Sequence, residues 1–299
     1  MRDHYSTRLR PIIALCSAFL ALSLAGASTC VNAAIIFSSS GANAAAIQGT
    51  VDTFRAALGV NNGVLPGPLS GGRREVNWDA IPIGSLDPFP GNFFQASRGI
   101  AFSTPGSRMK VSGDAGSPSF EFADVTALVP GMGPWGPIEL SSFSSPRMFA
   151  PIDSVITDMR FFVPGTSQPA GVRGFGAVFV DVDLANTSKL TLLGANDAVL
   201  FENFISPSGV QSEGLTFLGV VLDPGVLASR VRIIGGSHPI NTVFMDPPPD
   251  GIAIDDVIFA EPSAIPEPST LALLGLSFAA LGLARTRRHR ARVRAGSLQ

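Results

Sequence analysis

The chain is nearly without tyrosine, cysteine, histidine and lysine. Tyr5 is its one tyrosine, Cys16 and Cys30 its two cysteines, Lys110 and Lys189 its only lysines, and His4, His238 and His289 its three histidines. Each shortage removes a chemistry. Both cysteines fall within the first 30 residues, so the rest of the chain has no thiol nucleophile and no disulfide, and must be held together by its core. With His238 the one histidine of the middle region, no zinc site of the usual Cys/His pattern can be assembled. Neither lysine follows a Gly-x-x-x-x-Gly frame, which excludes a phosphate-binding loop. No Gly-x-Ser-x-Gly nucleophile elbow occurs, and Gly174-Phe175-Gly176 leads into an apolar strand pattern instead of a dinucleotide-binding helix.

What is abundant is glycine (32), proline (24) and phenylalanine (21), together with long apolar runs at both ends. Arg2, Arg8 and Arg10 precede an uncharged run from Pro11 to Ala27, and Val31-Asn32-Ala33-Ala34 follows. Charge, then apolar run, then small residues is the order of a secretory signal peptide, with cleavage expected after Ala33 or Ala34. Neither cysteine stands in a lipobox-like setting, so a lipoprotein is not expected. At the other end, Ile265-Pro266-Glu267-Pro268-Ser269 is followed by the 14 uncharged residues Leu271–Ala284 and then by Arg285, Arg287, Arg288, Arg290, Arg292 and Arg294. A spanning helix needs roughly 20 apolar residues. This run is short and would cross by snorkelling its flanks or thinning the bilayer. The arginines would hold its end cytoplasmic and leave the preceding domain outside. The prolines keep the chain before it extended, as a protease cleft requires.

The triplet, the apolar run and the arginine cluster, in that order, resemble the PEP-CTERM sorting signal of Gram-negative bacteria that make biofilm or polysaccharide. Ile265 stands where that family usually has valine. The resemblance implies transient anchoring in the inner membrane, facing the periplasm, and hand-over to an exosortase-type peptidase. The protein would then pass to the cell surface or medium. Pro266, Glu267 and Pro268 would be the sorting motif, and Arg285, Arg287 and Arg288 the membrane stop. Three segments follow: a signal peptide over 1–34, an exported domain over 35–263 and a sorting and anchor segment over 264–299.

Between the signals the charge is lopsided, with 12 Lys/Arg against 21 Asp/Glu, a net of about −9 that the whole-chain value of −2 conceals. Such a surface repels nucleic acid. One helix is expected, over Asn43–Leu58, because Ile47, Val51, Phe54 and Leu58 form a stripe of period 3.6 that Gly59 closes. Beyond it, short runs bounded by Gly, Pro, Asn and Asp predict strands near 75–78, 100–103, 109–112, 119–122, 158–163, 176–184, 189–193, 198–204, 215–222, 229–234 and 252–259. In the 176–184 run, Val178, Val180, Val182 and Leu184 alternate with Phe179, Asp181 and Asp183, predicting one buried and one polar face. With little helix between strands, parallel crossover units are excluded. The expected fold is mainly β: an antiparallel two-layer β-sandwich, jelly-roll-like, with one short N-terminal helix, a signal helix and a C-terminal transmembrane helix. A closed barrel is the alternative. GRREVNWDAIP, the run NFF…SRGIAFSTPG, GFGAVFVDVDL and AIDDVIFAEP are similar to a recurring group of uncharacterised secreted β-sandwich domains found ahead of this tail. That resemblance implies a fold and a location, and no activity.

Candidate chemistry is thin. Ser237 precedes His238, but adjacency in sequence does not set a hydroxyl against a ring in the way a hydrolase needs. Asp181 and Asp183 share a strand face about 7 Å apart. Asp255 and Asp256, as strand neighbours, point to opposite faces unless a bulge intervenes. These four aspartates are candidate ligands for a structural Ca²⁺, although Leu192 at the twelfth position rules out an EF-hand. No other cofactor is expected. Trp135, in Pro130–Pro137, is the candidate for display to a sugar, whereas Trp78 lies in a strand pattern and reads as core. Three readings stay open at this point. The first is a non-catalytic surface or matrix protein with the inner membrane, the peptidase and exopolysaccharide as partners. The second is a carbohydrate-binding module. The third is a secreted hydrolase using paired carboxylates.

Overall fold

The computed structural model describes residues 34–82, 85, 87–112, 140–210, 214–241, 250–265 and 276–278. Among the described residues, fourteen strands are arranged as two antiparallel sheets. Sheet A is built from β1 (Ala34–Gly41), β2 (Arg73–Val76), β4 (Arg108–Val111), β5 (Phe149–Ile152), β8 (Gly174–Val180), β11 (Leu215–Leu222) and β13 (Ala253–Ala260). Its order is β1-β11-β8-β13-β5-β4, with β2 also paired to β13. Sheet B comprises β3 (Ile100–Ser103), β6 (Ile156–Phe162), β7 (Pro169–Gly171), β9 (Lys189–Leu193), β10 (Val199–Phe204), β12 (Arg230–Ile234) and β14 (Ser263–Ala264). Its order is β10-β9-β12-β6-β7-β14, with β3 on β6.

The sheets pack face to face. Phe161 of β6 lies 6.4 Å from Phe175 of β8 and 5.5 Å from Phe259 of β13, ring centre to ring centre. Helix α1 (Ala44–Leu58) then covers the outer face of sheet A. Asn43 caps it by accepting from Ala46 N at 3.2 Å, and the buried residues are the expected Ile47, Val51, Phe54 and Leu58. The helix sits close because the sheet beneath it is notched. A Cβ on Gly176 would come within 2.8 Å of the Phe54 ring, and one on Gly219 within 2.9 Å. Phe54 is therefore seated in a groove made by two missing side chains, 5.4 Å from both Phe37 and Phe217.

This covering explains the one strand whose pattern misleads. The alternation in 176–184 suggested a half-exposed strand, yet all seven residues of β8 are buried. Sheet B covers one face and α1 the other, and the strand ends at Val180, before either aspartate. β1, β5, β7 and β14 carry no strand signal strong enough to be expected; β5 contains Pro151, which normally argues against a sheet interior. The expected strand at 119–122 lies outside the described residues.

A second packing centre lies at Trp78, which stacks on Phe149 at 4.4 Å and meets Phe89, Phe94 and Phe102 edge-on. Below it the loop after α1 is fixed by a buried ion pair. Arg74 gives Nε and Nη2 to Glu261 at 2.7 and 2.8 Å, and Nη1 to the carbonyls of Gly63 and Ser97. Asn62 Nδ2 and Leu69 N complete the carboxylate's partners.

Among the described residues no helix is long and apolar enough to cross a membrane. The expected signal helix lies outside the described residues. Of the expected transmembrane helix only 276–278 fall within them, so that helix is not confirmed.

Candidate functional site

The acidic pair Asp255–Asp256 is where the structure gathers the most ionisable groups. Ile254 pairs with Phe179 and Val257 with Ala177, so two residues of β13 stand opposite the single Val178 of β8. That two-against-one count is a β-bulge, which re-aims a side chain. It overturns the expectation that these carboxylates point apart. Ser144 Oγ reaches both, at 3.1 Å from Asp255 Oδ1 and 2.7 Å from Asp256 Oδ1. Asp255 Oδ2 also accepts from Phe143 N at 2.5 Å and Ser144 N at 3.2 Å. Its own carbonyl receives the indole N–H of Trp78.

Positive charge arrives from α1. Arg55 Nη2 lies 3.4 Å from Asp256 Oδ2 and 2.9 Å from Glu75 Oε2 on β2, while Arg73 Nε holds Glu75 Oε1 at 2.6 Å. The Arg55 guanidinium also lies 5.9 Å over the Phe143 ring. Asp79 accepts from Arg147 N at 3.1 Å. Burial pushes the Asp255 carboxyl well above the usual carboxylate range, and the neighbouring Asp256 charge adds to this against three hydrogen bonds. Asp256 is pushed up to about 6, again chiefly by burial. Asp79 is raised for the same reason.

Chemically the pair is a clamp. Asp255 is fully buried and Asp256 is 5% exposed. Their acceptors are spent on the 143–144 backbone, the Ser144 hydroxyl and Arg55. Arg55, Glu75, Phe143 and Ser144 were not singled out from sequence. Arg55 was visible only as a charge on the helix, and Ser144 as one serine among several.

The other candidate positions are separate from this one. Asp181, the residue after β8, stands three residues from Val178 at the bulge, roughly 10 Å by strand rise, and Asp183 follows two residues later. Asp183 N donates to Asp250 Oδ1 at 3.1 Å, and Thr187 Oγ1 donates to Asp250 Oδ2 at 2.5 Å. Among the described residues, no three acidic, histidine or cysteine side chains converge as a metal would require. Ser237 Oγ does lie 3.0 Å from His238 Nδ1, closer than sequence adjacency led us to expect. The same Oγ accepts from Asp250 N at 3.2 Å, which makes it part of a turn. Trp78 is fully buried, as expected, and Trp135 lies outside the described residues.

The last ladder of the sandwich is β14 on β7, pairing Ser263 with Gly171 and Ala264 with Ala170. Residues 264–288 match the PEP-CTERM protein-sorting motif. The chain ends in a PEP-CTERM tail. The motif begins on the second residue of β14, so folded domain and PEP-CTERM tail adjoin with no linker between them. Pro266, Glu267, Pro268, Arg285, Arg287 and Arg288 all fall in the matched span and outside the described residues. A PEP-CTERM tail implies export, membrane association and processing by an exosortase. No curated protein and no solved structure matches the chain.

Proposed function

We propose that the chain is an exported, non-catalytic protein of the cell surface or extracellular matrix. It is held briefly in the inner membrane by its C-terminal segment and released by an exosortase-type peptidase. One observation carries this reading: the sorting motif starts where the sandwich's last strand ends. A passive role is supported by how the ionisable groups are used. The acidic pair at the bulge is buried and bonded to backbone, and Asp250 is 3% exposed and ties together the loop after β8. A glycosidase needs two carboxyl groups facing across an open site. Carboxylates buried and spent on backbone and hydroxyl groups suit a structural component better.

The test is the mass of the protein recovered from its host. Replacing Pro266, Glu267 and Pro268 by alanine is expected to leave a membrane-bound chain that keeps its tail, whereas the parent protein loses it. Identical masses from cells with and without the peptidase would refute the reading.

A further inference from the structure

Among the described residues, β1 is the one long edge strand without a charge, a proline or a bulge. Among the described residues β1 pairs only with β11, in unbroken register from Ala34↔Leu222 to Gly41↔Leu215. Its eight residues, AIIFSSSG, span about 27 Å and contain no charge, no proline and no bulge. Those are the devices by which native edges resist pairing with another chain. The edges at β4, β10 and β14 are charged, bulged or short. β4 carries Arg108 and Lys110, β10 carries Glu202 and a register shift between Val199 and Phe201, and β14 is two residues long. On β1, by contrast, Ile35 is 63% and Ile36 48% exposed.

Helix α1 runs beside this edge and leaves room. A shallow, open depression lies between Ile36 and Phe37 on the strand and Ala45, Ala46, Gly49 and Thr53 on the helix. A Cβ on Gly49 would meet nothing within 4 Å. The helix flank facing the depression is therefore small and, as far as Val51, uncharged.

We infer that β1 pairs antiparallel with β1 of a second copy about a twofold axis. The two A sheets join into one, and the small flanks of the two α1 helices face each other across the axis. Charge selects this occupant. The domain is strongly acidic as a whole, so two copies repel except where their surfaces are neutral, and β1 with the first turns of α1 is such a surface. A twofold sets each patch against itself, so neutral meets neutral. A stable dimer buries more than about 1,000 Å² in total, more than edge hydrogen bonds alone supply. Ile35, Ile36 and the helix flank are the apolar surface that would be buried beside them.

The experiment is sedimentation equilibrium on the full-length chain in detergent, combined with hydrogen exchange on the 34–41 backbone. A monomer–dimer equilibrium is expected, with the β1 amides slowing as the dimer fills. Ser38→Lys with Ser40→Lys, at two exposed positions, is expected to weaken association roughly tenfold by setting like charges across the axis. At concentrations where both are monomeric, its melting temperature should match the parent's. Three results would overturn the inference: a monomer at every concentration, a dimer indifferent to the lysines, or β1 amides protected equally at all concentrations. The last would mean that the chain's own residues cover the edge.

Discussion

Glu261 and Arg74 are 2% and 0% exposed at the side chain, so each depends on the other to be tolerated in the core. Removing one partner strands a buried charge, which costs about 3–5 kcal/mol, whereas replacing both by apolar groups often costs little. Glu261→Gln is therefore expected to lower the unfolding free energy from denaturant titration by an amount in that range. The double change Arg74→Met with Glu261→Leu should recover much of it. Asp256 behaves oppositely, because its charged form is the strained one. Its carboxyl titrates near 6 in the fold against an ordinary 3.8, so the native state holds a proton that the unfolded chain has released. Between about pH 4 and 6 stability must fall as pH rises, by about 1.4 kcal/mol per pH unit for one group. Asp255, also raised well above 3.8 by its burial, adds to the decline in the same sense. Asp256→Asn should flatten the slope in a series of thermal melts. A variant curve parallel to the parent's would show that the carboxyl is not responsible. At this scale sequence gave a partial view. The acidic doublet stood out, but its geometry depends on a bulge set by β8 and on a serine over a hundred positions away, and no local pattern announces either.

At the scale of elements, α1 was legible to the residue because a 3.6-period stripe is a local signal and its cap lies beside it. Strands β3, β9 and β11 were equally legible, each bounded by turn residues. β8 was located but misjudged, since its partners on both faces come from distant segments. β1 is continuous with the small-residue end of the expected signal, so no turn residue marks its start. The seat of α1 gives a direct check. Gly176→Ala and Gly219→Ala each drive a methyl into Phe54 or Phe217, and overpacking of this kind costs about 1–3 kcal/mol. Unfolding measurements should show that loss in either variant. Phe54→Leu in the same background should relieve part of it.

For the molecule as a whole, turn density and the scarcity of helix were enough to indicate two antiparallel sheets. Strand order was not readable, because it rests on pairings between ends of the chain. The boundary between domain and tail is sharp enough to test. The final ladder pair is Ala264↔Ala170. A chain ending after Ile265 is expected to melt with the parent. One ending after Ala260 loses Glu261 and with it the anchor of Arg74, and should be destabilised by at least as much as Glu261→Gln.

Register has a further consequence, for timing. Ala34 finds its partner at Leu222 and Val76 at Val257, so the opening strands wait for segments made near the end of synthesis. Pairings between such remote positions form slowly. A nascent polypeptide of this design stays thread-like for most of its emergence, which is the condition in which a narrow conduit can pass it.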